Sequence, residues 1–144
     1  LFSTGMVDGE AKDSLANARA TGVFTANFVD HDLSVAMNET AAEVASDVDE
    51  FGLAGLTAKR FGTVDAPGVA EATAVLECRV VNEVVMGDAP LTHAVTFGEV
   101  LMFHVADEVL DGTRVDPVKL DALGRLAGTN YTTTRDQFSL ERPS

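Results

Sequence analysis

Apolar residues are densest between Ala72 and Ala106, in two long runs, Ala74–Val85 and Thr92–Val105. Met86-Gly87-Asp88-Ala89-Pro90-Leu91 separates them. The runs are rich in valine, leucine and phenylalanine, and the connector holds the Gly, Asp and Pro that turns use, so the pattern predicts a long β-hairpin. In the second arm Val95, Phe97, Leu101, Phe103 and Val105 share one parity. Alternate side chains of a strand point to opposite faces, so this row is expected to face the core. An isolated hairpin is marginal in water, which makes the pair the spine of a larger sheet or barrel. Gly98 interrupts the second arm, where a glycine marks a bulge or a close approach by another group.

The remaining chain alternates short elements. Leu1-Phe2-Ser3-Thr4-Gly5 reads as the end of a strand running into a polar loop. A helix is predicted from Lys12 to Gly22, with Asp13 as N-cap and Gly22 as its stop. Val23–Val29 reads as a strand with Phe24, Ala26 and Phe28 on one face. Leu33, Ala36, Met37, Thr40, Ala41 and Val44 recur at helical spacing and predict a second helix over 33–44. The stretch 46–68 lacks clear periodicity and reads as loop with a helical turn. Pro117, capped by Asp116, opens a predicted helix to about Leu126, followed by Gly128-Thr129-Asn130-Tyr131 and a polar tail to Ser144.

Length and composition narrow the class. The 144 residues suit one domain, and a hydrophobic content of 46% excludes wholesale disorder. No apolar run approaches a membrane span, and one cysteine, Cys78, cannot close an internal disulfide, so a soluble, cytoplasmic protein is expected. The chain opens at Leu1 in a strand-like run without methionine, which predicts a preceding N-terminal part. A net charge of −13, with 23 acidic against 10 basic residues, makes nucleic acid and anionic membrane poor partners. Scarce lysine beside abundant Ala, Val, Thr and Asp is the style of halophilic proteins, in which salt screens self-repulsion; stability rising with KCl is its expected signature.

Candidate chemistry is sparse. Phosphate-loop, nucleophile-elbow, paired-cysteine and H-E-x-x-H patterns are absent. His93 and His104 fall at opposite parity on one strand and His31 in a helix-entry loop, so structural roles are expected for all three and no metal site. Glu99, beside Gly98 in an apolar row, is expected to be a buried or interfacial carboxylate with Arg79 as its partner. The start of the first helix is the other candidate. Its unpaired N–H groups and dipole suit a phosphate, with Lys12 and Ser14 adding a cation and a hydroxyl. The alternative there is plain capping by Asp13 or Ser14.

Lys12-Asp13-Ser14-Leu15-Ala16-Asn17, then Gly22–Val29, then Ala36-Met37-Asn38 resemble the flavin reductase-like, FMN-binding split-barrel family. Members commonly carry K-D-T-x-x-N-I-x-x-[TS]-G-E-F-V-V-N followed by M-N. Asp49-Glu50-Phe51, Ala54-Gly55-Leu56, Ala74–Cys78, Phe97-Gly98-Glu99-Val100 and the tail with Gly128, Tyr131, Phe138 and Arg142-Pro143 resemble it too, in the same order. The resemblance implies a mainly β fold with flanking helices, an antiparallel split β-barrel whose first strands precede Leu1, assembled as a homodimer. It implies FMN near the subunit interface, reduced by NADH or NADPH, with a partner monooxygenase in some members. Carried over residue by residue, it implies that Lys12, Ser14 and Asn17 lie on the flavin phosphate side and Ser3, Thr4 and Gly5 near the cofactor. His93, Gly98 and Tyr131 are further contact candidates, with Gly98 offering the ring a flat surface. Ser14 stands where Thr is commoner, which keeps the hydroxyl, and Ala18 where Ile is. A hydride-transferring flavin reductase is the function implied; a non-catalytic flavin carrier and a dimeric structural module are the alternatives.

Overall fold

The computed structural model describes residues 1–88 and 90–143; Ala89 of the hairpin connector and Ser144 of the tail lie outside the described residues. Its centre is one antiparallel sheet of five strands in the order β2-β1-β7-β6-β3, formed by β1 Phe2–Val7, β2 Glu10–Ala11, β3 Val23–Asn27, β6 Ala74–Met86 and β7 Leu91–Val105. The sheet curls into half of a barrel, the mainly β, split-barrel architecture expected from the sequence. Two-residue strands β4 Ala58–Lys59 and β5 Gly68–Val69 pair with each other, as do β8 Leu110–Asp111 and β9 Arg114–Val115. Near the C-terminus β10 Leu123–Arg125 pairs with β11 Tyr131–Thr133.

The β6–β7 hairpin is the predicted spine, paired from Ala74↔Val105 to Met86↔His93. Its inward row is not the predicted one. The pairing slips between Glu77 and Cys78, where Leu101 is the extra residue of β7, and between Val80 and Asn82, where Val81 is the extra residue of β6; each reverses the facing of side chains along its own strand. The Leu101 bulge splits the expected row, and Phe97, Leu101 and Phe103 are 37%, 39% and 64% exposed, while Ala94 and Thr96, of the other parity ahead of the bulge, are buried. Helix α1 Asp13–Thr21 closes that end, where Leu15 packs on Met6 and Ala94. Gly22 terminates it in the left-handed conformation at φ 73°, as expected. The N-cap is Lys12 rather than Asp13, with no side-chain capping bond, so Asp13 falls in the first turn.

Helices α2 Ser34–Glu39 and α4 Pro117–Leu120 are shorter than their patterns predict. The apolar positions beyond Thr40 are exposed, so nothing holds a longer α2 together. Asp116 caps α4 as expected, accepting from Val118 N at 2.8 Å, but Asp121 turns left-handed (φ 47°) and the chain leaves for β10. Helix α3 Glu50–Ala54 is the predicted turn, capped by Asp49 and stopped by Gly55.

Residues 61–69 run as a strap over one face of β3 and β6, tied by side chains. Glu77 is fully buried and accepts from Thr63 N and Val64 N, each at 2.9 Å, and from His104 Nε2 at 2.6 Å. Asn27 Oδ1 accepts from Val69 N, and Thr25 Oγ1 donates to Pro67 O. Burial alone would push the Glu77 carboxyl up, yet the His104 bond and the two amides outweigh it and hold it at about 2. The buried carboxylate on the long hairpin is therefore Glu77; Asp121, after α4, is buried as well. Glu99 does pair with Arg79, at 2.5 Å across the β6–β7 rungs, but both are exposed.

Candidate functional site

The β1–β2 turn carries the chain from the edge of the sheet directly into α1, and this sets the geometry around Lys12. Ala11 pairs with Met6, and Lys12 follows at once as N-cap. Leu15 N and Ala16 N bond back to Lys12 O, while Asp13 N and Ser14 N have no backbone partner among the described residues. Lys12 and Ser14 are solvent-accessible, but they line one wall of a cleft of about 500 Å³. The facing wall comes from the segment after α2, with Thr40, Glu43, Ser46 and Glu50. The cleft thus holds one ammonium group, hydroxyls and a free helix end, opposed by the carboxylates of Asp13, Glu43 and Glu50. An anion entering it is favoured only close to Lys12 and the α1 end.

The other expected site residues divide into groups. Ser3, Thr4 and Gly5 lie on β1 and pair with Val95, Ala94 and His93 of β7. The His93 ring lies beside Gly5, whose added Cβ would sit 3.7 Å from Cε1. Thr4 Oγ1 is buried with no hydrogen-bond partner among the described residues, so that β1–β7 corner has an unused donor and acceptor. Asn17 is exposed on α1 and is not among the residues lining the cleft. At Gly98 the open surface is already used: a Cβ there would meet Phe24 Cζ at 2.5 Å and Cys78 Cβ at 3.1 Å. The flatness expected to receive a flavin ring receives the Phe24 ring instead, which packs edge-on against Phe2 at 4.9 Å.

Tyr131 belongs to a different cavity, of about 580 Å³, between α2 and the β10–β11 hairpin, with His31, Asn38 and Arg125. A smaller apolar cavity of about 220 Å³ lies between the two sites. It shares Thr40 with the Lys12 cleft and Met37 with the Tyr131 cavity, so the three abut along α2. Sequence reasoning missed the wall formed by residues 40–50, because a loop has no periodicity to read. It missed Arg125 because a helix was expected there. Glu77 carried a usable signal, an ionisable residue inside an apolar strand, but unbroken parity and the neighbouring Gly98 put the analogous expectation on Glu99.

The model of the flavin reductase like domain matches residues 2–120. An uncharacterized protein of Deinococcus radiodurans is 38% identical over 139 residues, covering 94% of this chain; the chain spans 60% of that relative's length. The structure of nitrilotriacetate monooxygenase component B from Bacillus cereus superposes with a TM-score of 0.89 at 34% identity, over 96% of this chain and 69% of the other. A Shewanella frigidimarina protein assigned as a flavin reductase with split barrel domain gives 0.78 at 21% identity, over 99% and 69%, which speaks for the fold alone. Matched along most of its length by that model, the chain belongs to the flavin reductase like domain family.

Proposed function

We propose that this chain binds FMN with the phosphate against Lys12, Ser14 and the N-terminus of α1, and that the protein is an NAD(P)H-dependent flavin reductase acting as a homodimer. The observation that carries the reading is the Lys12–Ser14 wall: an ammonium group without an ion pair among the described residues, beside unpaired helix amides, in a cleft. That donor set suits a phosphate dianion. The unpartnered Thr4 hydroxyl and the adjacent Gly5–His93 corner offer further polar contacts at the strand that feeds α1. Bound FMN supplies the redox chemistry, taking hydride from NADH or NADPH. The residues of this chain hold the phosphate, orient the ring and, through Glu43 and Glu50, leave only one wall hospitable to it. The exposed apolar side chains of β6 and β7 give the homodimer its interface, and a monooxygenase that consumes reduced flavin is the partner such a reductase would serve.

Lys12→Ala is expected to weaken FMN binding by about 1.5–3 kcal/mol, the range for a charged hydrogen bond, in a fluorescence titration. Identical affinities in variant and parent would remove Lys12 from the site. NADH oxidation by the FMN-loaded protein separates the reductase from a flavin carrier, which would show none above the protein-free rate.

A further inference from the structure

We infer that the cavity between α2 and the β10–β11 hairpin is a second binding site, for a planar aromatic monoanion of the arenecarboxylate class. Its volume, about 580 Å³, falls in the range of small-molecule sites. Its electrostatics set it apart. In a chain with 23 carboxylates against 10 basic residues, not one carboxylate is among its lining residues, whereas Asp13, Glu43 and Glu50 line the Lys12 cleft.

The cation in it is exposed but tethered within its own hairpin before any ligand arrives. Arg125 Nε and Nη2 donate to Gly128 O at 3.3 and 3.0 Å, and the guanidinium stands 5.9 Å from the centre of the Tyr131 ring. Nη1 has no partner among the described residues, so one edge of a preorganised guanidinium is left for an oxyanion. The Tyr131 ring gives a flat partner for a second ring, and Val35, Met37 and Leu123 give apolar wall. Charge matching selects a monoanion. His31 already faces Asp32, 3.5 Å away, which leaves Arg125 as the net positive charge of the cavity. A nucleotide with two or more phosphate charges would bring uncompensated charge into a protein that carries −13. The assignment goes beyond the flavin reading and does not rest on it, although the intervening apolar cavity joins the two sites along α2.

The sequence supplies its own reporter, because Tyr131 is the only tyrosine and there is no tryptophan. In the 144-residue chain labelled with ¹³C-tyrosine, the Tyr131 ring signals are followed during titration with benzoate, benzamide or AMP at fixed ionic strength. Benzoate is expected to shift them saturably and at least tenfold more tightly than the neutral amide or the dianionic nucleotide. Arg125→Gln is expected to weaken benzoate at least tenfold. Arg125 also ties down the Gly128 turn, so Val35→Glu, at a wall position 71% exposed, places a carboxylate in the cavity without touching that turn and is expected to cost the same. Benzamide equalling benzoate, AMP binding more tightly, or unchanged benzoate affinity in Val35→Glu would each overturn the assignment. Because tyrosine rather than flavin signals are read, failure here is distinct from failure of FMN binding.

Discussion

At the scale of single residues, the strongest constraint is the buried Glu77 carboxylate, which fastens the 61–69 strap through two amides and His104, whose ring lies tilted against Phe61 at 4.6 Å. Its folded-state pKa is about 2 against an ordinary 4.5, a depressed value. The stability it contributes is therefore complete above about pH 4.5 and lost as pH falls toward 2. Glu77→Gln is expected to destabilise the protein at pH 7 by about 1.5–3 kcal/mol in urea unfolding. The gap between variant and parent should narrow from pH 4.5 to pH 2. A gap that stays constant across that interval would mean that the ionised Glu77 is not what holds the strap. The charged groups on and just before the strap, Lys59 over Phe61 and the Arg60–Asp65 pair, are exposed and common to both proteins.

At the scale of elements, Gly98 shows how one strand position depends on its neighbour. The Phe24 ring of β3 crosses β6 and occupies the space a side chain at 98 would need. Gly98→Ala is expected to cost about 1–3 kcal/mol, by overpacking, and to cost clearly less when Phe24 is replaced by leucine. Equal costs in the two backgrounds would place the strain elsewhere. This position also shows what was legible beforehand. Two long apolar runs and a Gly-Asp-Pro connector suffice to predict the hairpin, and Gly22 and Asp116 mark helix ends through capping chemistry that is local in sequence. Which hairpin face turns inward was not legible, because the slips of register, one extra residue in each strand, depend on pairing between distant residues and break the parity rule partway along each. The cleft was half legible for the same reason: Lys12 and Ser14 announce themselves at a helix start, whereas Glu43 and Glu50 reach it only by tertiary packing.

At the scale of the whole molecule, three members of the expected inward row, Phe97, Leu101 and Phe103, remain on the surface, where they lie with Met102 and Val81 on the hairpin. Exposed apolar side chains gathered on one pair of strands favour association, and for two chains of −13 burial must outweigh mutual repulsion. Sedimentation equilibrium is expected to give twice the 15.1 kDa chain mass, and Phe103→Asp to shift the population to monomer. A parent that sediments as monomer at molar salt, where repulsion is screened, would contradict the dimer.

The measurement that bears most directly on the central claim compares FMN with riboflavin, which has the same ring and no phosphate, by fluorescence titration under identical conditions. If Lys12, Ser14 and the α1 amides hold the phosphate, FMN binds on the order of ten- to a hundredfold more tightly, the equivalent of one charged hydrogen bond or more. Equal affinity for the two flavins, or tighter binding of riboflavin in this anionic protein, would contradict it.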